Sequence, residues 1–350
     1  MTFIIGEGIL HQDYRMTYQI AVIGATGSVG REALNILAER RFPAKEVFAL
    51  ASKRSNGLEV SFGENKVLPV KNLEEFDFTG IDFVISAVDS KIAAQYLPKI
   101  ASVGAMIVDK SSHFRLEPDV PLVVPEVNSH RLQERPKRGL IASPNCVVIP
   151  LVVALKPLHD LAGIKRIVLS TYQSVSGAGS AAMDELFNQT RAILVNETIP
   201  EDIFPKQIAF NLIPQIDRFY TDGSTAEEDK IALETRKIFE APLKITATCV
   251  RVPVFIGHCL SVNVEFEQPI TVEKARSTLQ KSKGVFVLDR QEEGGYITPL
   301  EIAGEDVVCV SRLRQDKTVV SGLSMWIAAD NLRKGAALNA VQILETLIKK

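Results

Sequence analysis

Cys146 closes the run Ser143-Pro144-Asn145-Cys146 and stands directly before the apolar stretch Val147 to Leu155. If that stretch is a helix, Cys146 lies at its positive end. There, free N–H groups and the macrodipole favour a thiolate, which attacks carbonyl carbon. Cys249, Cys259 and Cys309 sit instead inside Val/Ile/Leu-rich runs, where a thiol is a small buried hydrophobe.

A second chemical signal is Gly24-Ala25-Thr26-Gly27-Ser28-Val29-Gly30, which follows the apolar run Gln19 to Ile23 and precedes the helical pattern Arg31 to Glu39. Strand, glycine loop and helix in that order let backbone N–H groups approach a pyrophosphate at a helix N-terminus. The second strand should end near Ala51, where an acidic residue would hold the ribose hydroxyls of NAD; Ser52-Lys53-Arg54-Ser55 stands there instead. Cations and hydroxyls suit a 2′-phosphate, so the expected cofactor is NADP(H).

The elements that must carry these groups are legible from periodicity. Strand-like runs at 19–23, 46–51, 82–88 and 105–109 alternate with helical patterns near 30–40 and 91–102, predicting βαβ units and a parallel sheet. After Cys146 the β-branched runs 164–174, 244–252, 259–266, 285–288, 306–313 and 317–324 predominate, with Asp316-Lys317 as the turn between the last two. Helical patterns at 178–194, 225–239 and 272–282 lie between them. The expected fold is an α/β Rossmann-type dinucleotide-binding domain plus an α+β catalytic and dimerisation domain with a mainly antiparallel sheet. The expected boundaries are 18–145 and 146–330, with the helical segment 331–350 packing back on the first domain. Residues 1–17 read as an N-terminal extension, either disordered or, since Met16 stands directly before the first strand, lying upstream of the true start.

Composition narrows the partners. The chain has 350 residues, 46% of them hydrophobic and 23% charged, with a net charge of −2 and no clustering of Lys and Arg, which argues against nucleic acid and for a small-molecule substrate. The four cysteines show no C-x-x-C spacing and the five histidines no metal-ligand intervals, so neither a disulfide nor a metal is expected. Without a membrane-span-length apolar stretch or a signal-peptide pattern, the expected compartment is the cytoplasm.

Taken together, GATGSVG at 24–30, SPNC at 143–146, TYQSVSGAG at 171–179, RVPVFIGH at 251–258 and DNLRKGAA at 330–337 resemble aspartate-β-semialdehyde dehydrogenase, from Tyr18 to the end of the chain. The resemblance implies reversible NADPH-dependent reduction of aspartyl phosphate to aspartate semialdehyde and phosphate, on the route to lysine/diaminopimelate, threonine and methionine. It implies Cys146 as nucleophile, His258 as acid/base, and Gln173 as the residue that orients substrate beside the thiol. Arg251 is implied as the clamp on the substrate carboxylate, and Arg115, Asn145 and Lys230 as the phosphate pocket, with Glu227 facing the site from the same helix as Lys230. For the cofactor it implies Gly24, Thr26, Gly27, Ser28 and Val29 in the first loop, Ser52, Arg54 and Ser55 at the 2′-phosphate, Ala87, Ser176 and Gly177 further in, and Asn331 at the carboxamide. A homodimer through the second domain is implied as well.

The chain departs from the family pattern at Val147-Val148, where Ser-Thr is common, at Pro150, at Lys110, where asparagine or a small residue is usual, and at Val88-Asp89, where Gly-Gly is common. Two other readings stay open at this point: a non-catalytic NADP-binding homologue, and a reductase of a related acyl phosphate such as N-acetylglutamyl phosphate.

Overall fold

The computed structural model describes residues 17–199 and 203–349, so the expectation for residues 1–16 lies outside the described residues. The first sheet is built from β1 (Tyr18–Ile23), β2 (Ala44–Ala51), β3 (Glu59–Phe62), β4 (Lys66–Asn72), β5 (Phe83–Ser86), β6 (Met106–Asp109) and β7 (Leu140–Ala142), in the order β3-β4-β2-β1-β5-β6-β7. Every ladder is parallel except β3 with β4. The inner strands β5 and β6 are buried at every position, as strands covered on both faces must be. α1 (Ser28–Glu39) covers one face through Ala33, Leu34, Ile36 and Leu37. α2 (Ser90–Ser102) and the short α3 (Pro125–Asn128) complete this half.

Strand pairing runs outward from β1 in both directions, to β2 on one side and to β5 on the other. The carboxyl ends of β1 and β5 therefore flank a topological switch point, the place where open α/β sheets take ligands. The edge hairpin β3–β4 and the short β7 extend the expected four-stranded pattern. Their signals are weak because β3 is only partly covered and β7 has three residues.

α4 (Val148–Ala162) joins the halves. Val148 to Leu155 is buried at every position, so a helix apolar all round is satisfied by packing on all sides. It lies against α6 (Ala226–Phe239), α7 (Val272–Gln280) and the second sheet. That sheet comprises β8 (Ile164–Gln173), β9 (Lys244–Arg251), β10 (His258–Phe266), β11 (Val285–Val287), β12 (Val308–Gln315) and β13 (Gly322–Ala329), ordered β11-β12-β13-β10-β8-β9. The ladders joining β8, β10, β13 and β12 are antiparallel, and only the two edge pairs are parallel. α5 (Ser180–Leu194), α8 (Pro299–Ile302) and α9 (Leu338–Ile348) complete the chain, with α9 packed beside α1 against β5 and β6.

Two expectations are corrected. The strand after the Asp316 turn begins at Gly322 rather than 317, because Asp316 accepts from the Thr318 backbone and hydroxyl and residues 316–321 form the connection. The helix expected from 331 is regular only from Leu338; Arg333–Ala337 form a π-helical turn in which Gly335 N–H reaches back to Asp330 O and Ala337 N–H to Leu332 O. Arg251 ends β9 and His258 begins β10, and both strands flank β8.

Candidate active site

The nucleophile loop runs from the carboxyl end of β7 into α4. Asn145 turns it: its side-chain oxygen accepts from Val147 N at 2.8 Å and its carbonyl from Ile149 N at 3.1 Å. Leu151 N bonds Val147 O, but the intervening bond to Cys146 O cannot form because Pro150 has no N–H. Pro150 falls in the first turn of α4, where that loss is tolerated, so the helix starts without a shift. The Cys146 carbonyl packs instead against Gly335, where an added Cβ would lie 3.0 Å from its oxygen.

α6 supplies the carboxylates that hold this loop. Glu227 and Glu234 lie two helical turns apart on its inner face and are both buried. Glu227 Oε1 accepts from Asn145 Nδ2 at 2.8 Å and from Gln173 Nε2 at 3.2 Å, tying the loop to the end of β8. Glu234 accepts from Asn145 N at 2.7 Å and pairs with Arg115 Nη1 at 2.9 Å. Arg115 also donates to Ser143 O and Lys110 O, which leaves one hydrogen on each terminal nitrogen of its five-donor fork. Lys230 is partly exposed and bonds Asp217 at 2.6 Å and Glu227 at 3.4 Å.

Opposite, the chain after β8 folds under two cationic or basic groups. Arg251 Nη1 donates to Ser174 O at 2.8 Å. His258 is fully buried, and its Nδ1 accepts from the Ser174 N–H at 3.1 Å. A backbone N–H can only donate, so the neutral ring carries its hydrogen on Nε2, which has no protein partner among the described residues. Gly177 is small for a reason: a Cβ there would come within 3.1 Å of both Arg251 Nη1 and His258 Nε2. Asn331 closes the back, its carbonyl oxygen accepting from Gly257 N and its amide donating to Ser176 Oγ. Gly257, at φ +100°, makes the turn that delivers His258, and any Cβ would meet the Pro299 backbone at 2.9 Å.

The charges decide the protonation states. Burial and the nearby Glu227 push the Cys146 thiol up to about 11, against the pull of Lys110, Arg251 and Arg115. The thiolate expected from the helix terminus is therefore not the resting form, because desolvation outweighs the surrounding cations. Burial, and then Arg251, push His258 down to about 3, keeping it neutral. Burial would lower Lys230, yet Glu227 and Asp217 outweigh it and hold it above its ordinary value.

The cofactor signals gather at the switch point. Gly24, at φ +81°, faces Ala87 so closely that a Cβ would sit 2.5 Å from its oxygen, and a Cβ on Gly30 would sit 2.1 Å from Gly24 O. Thr26, Gly27, Ser28 and Val29 form the turn into α1, with Gly27 at its N-cap. Ser52, Lys53 and Arg54 are exposed just past the end of β2, and Ser55 is half-buried. Val88 lies beside Gly24, and Asp89 caps α2 through Lys91 N and Ile92 N, so the second of these departures serves the following helix. Close backbone packing at the switch point fits a dinucleotide, whose pyrophosphate needs such an approach.

The hydrogen-bond network brings together Arg115, Asn145, Gln173, Glu227 and Lys230, and a second one joins Ser176, Arg251, His258 and Asn331 around Ser174. Residues 24–29 and 52–55 stand apart, at the ends of β1 and β2. Glu234 and Ser174 were missed. Glu234 had a signal in its spacing from Glu227 along an otherwise apolar helix face; Ser174 had none beyond its place between Gln173 and Ser176.

By fold and site this is a two-part, nucleotide-dependent semialdehyde dehydrogenase. Residues 19–135 match the semialdehyde dehydrogenase NAD binding domain, and residues 155–334 match the semialdehyde dehydrogenase dimerisation domain. The chain is 50% identical to the aspartate-semialdehyde dehydrogenase of Rickettsia bellii over 95% of its length and 98% of that protein's. Aspartate semialdehyde dehydrogenase II of Vibrio cholerae, solved complexed with ASA, superposes with TM-score 0.93 at 44% identity, covering 96% of this chain and 99% of that one. The Candida albicans enzyme, solved with NADP, gives TM-score 0.72 at 26% identity over 95% and 98%. The chain belongs to the aspartate-semialdehyde dehydrogenase family.

Proposed function

We propose that the chain catalyses the NADPH-dependent, reversible reductive dephosphorylation of L-aspartyl 4-phosphate to L-aspartate 4-semialdehyde and phosphate through a thioester on Cys146, serving synthesis of lysine/diaminopimelate, threonine and methionine. The observation that carries this reading is the pinning of the Cys146 loop by Glu227 and Glu234 within the electrostatic reach of Arg251 and Arg115. Ionised Cys146 attacks the acyl carbon, and the carbon–oxygen bond to phosphate breaks as the thioester forms. NADPH, when bound, supplies the hydride. His258 Nε2–H donates to the oxygen that becomes negative in the tetrahedral species and recovers the proton as the aldehyde leaves. The fork of Arg251 receives the substrate carboxylate, and Gln173, held by Glu227 and Thr171, orients the substrate. Arg115, Asn145 and Lys230 receive the phosphate.

For the cofactor, Gly24, Thr26 to Val29 and Ala87 hold the pyrophosphate and its surroundings. Ser52, Arg54 and Ser55 hold the 2′-phosphate, and Ser176, Gly177 and Asn331 the nicotinamide end. The exposed basic turn after β2 supports NADP over NAD. The division into a cofactor domain over 18–145 and a catalytic domain over 146–330 follows the two sheets. The second half forms a homodimer on this reading, supported by the matched dimerisation domain and by exposed Phe187 (60%), Leu194 (75%) and Phe210 (67%). Its cysteines are all free, which suits the reducing cytoplasm. Among the described residues no helix is long and apolar enough to cross a membrane.

A phosphate-dependent assay with aspartate semialdehyde tests the reading. NADP reduction that needs phosphate is expected; reduction with N-acetylglutamate semialdehyde but not aspartate semialdehyde, or NADP binding without turnover, would overturn it.

A further inference from the structure

Lys110 has no part in the assigned chemistry, yet it directly follows β6, and its side chain reaches the loop of the nucleophile. Its Nζ donates to Ser143 Oγ at 3.1 Å, to Pro144 O at 3.1 Å and to Gly335 O at 3.4 Å. Two of these acceptors precede Cys146 in the nucleophile loop, and the third belongs to the residue packed against the Cys146 carbonyl. One side chain therefore joins the end of the first sheet, the nucleophile loop and the π-helical turn before α9. Three acceptors match the three hydrogens of an ammonium. With its hydrogens occupied, Lys110 acts through the loop rather than on substrate.

We propose that Lys110 is a positioning residue for the nucleophile: its ammonium braces the loop before Cys146 against Gly335 and supplies the cation that favours the ionised form of the Cys146 sulfur. Burial lowers Lys110 to about 7, with Arg115 adding to that, while Cys146, Glu234 and Asp109 favour its charged form. The attraction is mutual, since Lys110 is the foremost of the cations opposing the upward push on Cys146. Arg251 and Arg115 share the task from the other sides, so removing Lys110 weakens ionisation without abolishing it. The inference rests on the reading of Cys146 as nucleophile only for its consequence in catalysis; the ionisation itself is measurable without turnover.

The test is the rate of iodoacetamide alkylation of Cys146 against pH, followed by mass spectrometry of its peptide, in the full-length wild type, Lys110→Met and Lys110→Gln. Loss of the cation is expected to slow alkylation at pH 6, where Lys110 is charged, about tenfold, with the rates converging as pH rises through about 7 and Lys110 gives up its proton. Lys110→Gln keeps a hydrogen-bond donor without charge. It is expected to match Lys110→Met in pH profile while melting closer to wild type, and it decides the matter if Lys110→Met does not fold. A Gln profile superimposable on wild type would overturn the electrostatic role, as would an equal slowing at every pH. Loss of turnover in Cys146→Ala tests the underlying reading separately.

Discussion

Arg251 and His258 meet across Gly177: a methyl group on that glycine would lie 3.1 Å from Arg251 Nη1 and 3.1 Å from His258 Nε2. The glycine keeps open the space between these two side chains, where the proposed function has a carboxylate clamp and a proton donor face one substrate. Gly177→Ala should lower kcat/KM for aspartate semialdehyde about 10²-fold, the scale on which small misplacements act, while the melting temperature moves little. Steady-state kinetics with a thermal melt check it; full activity would show that the two groups do not share a substrate across this residue.

Cys146→Ala should abolish turnover and leave NADP affinity nearly intact, because the thiol stands on the α4 loop and the dinucleotide signals on the β1, β2 and β5 ends. Fluorescence titration with NADP beside the activity assay separates the two effects. Substantial turnover would sink the covalent mechanism.

Arg54 stands exposed in the turn after β2. Losing one charge-assisted hydrogen bond costs about 1.5–3 kcal/mol, so Arg54→Ala should weaken NADP roughly ten- to a hundredfold and barely alter NAD. Equal losses for both cofactors would refute the 2′-phosphate assignment.

Arg115 and Arg251 should fail differently. Arg115→Met leaves Glu234 buried without its cation and should cost about 3–5 kcal/mol of stability by urea unfolding. Among the described residues Arg251 bonds a carbonyl, Ser174 O, rather than a carboxylate, so Arg251→Lys should chiefly raise KM for aspartate semialdehyde, an ammonium being unable to reproduce the fork. Indistinguishable stabilities would mean that the Arg115–Glu234 pair does not hold the loop.

His258 makes stability depend on pH with a definite sign. Its folded pKa, about 3, lies below the unfolded value of about 6.5, so between those values the unfolded chain binds the extra proton and stability falls as pH falls. From pH 7 to 5 this one group should remove about 2 kcal/mol. His258→Asn should lose that component of the slope, read by chemical denaturation at the two pH values; an unchanged slope would place the histidine in contact with water.

Much of this was legible along the chain. The strand, glycine loop and helix around Gly24 are neighbours in sequence, and so are Asn145, Cys146 and the apolar helix they open, so local pattern and turn chemistry suffice to find them. The hairpin β3–β4 and the π-helical turn at Arg333–Ala337 were not legible, since one is a partly covered edge and the other is set by the contact of Gly335 with Cys146.

The sequence by itself determined the chemistry on offer: a cysteine before a helix, a histidine after a glycine, a glycine loop after a strand and a basic turn two elements on. Only the tertiary structure decided how those groups stand. It put Glu227 and Glu234 under the Cys146 loop and Arg251 and His258 on the two strands that flank β8. It also made the resting thiol protonated and fixed the histidine hydrogen on Nε2. These are properties of burial and of partners distant in the chain, and the free energy of a charge depends on what surrounds it in space rather than on what precedes it in sequence.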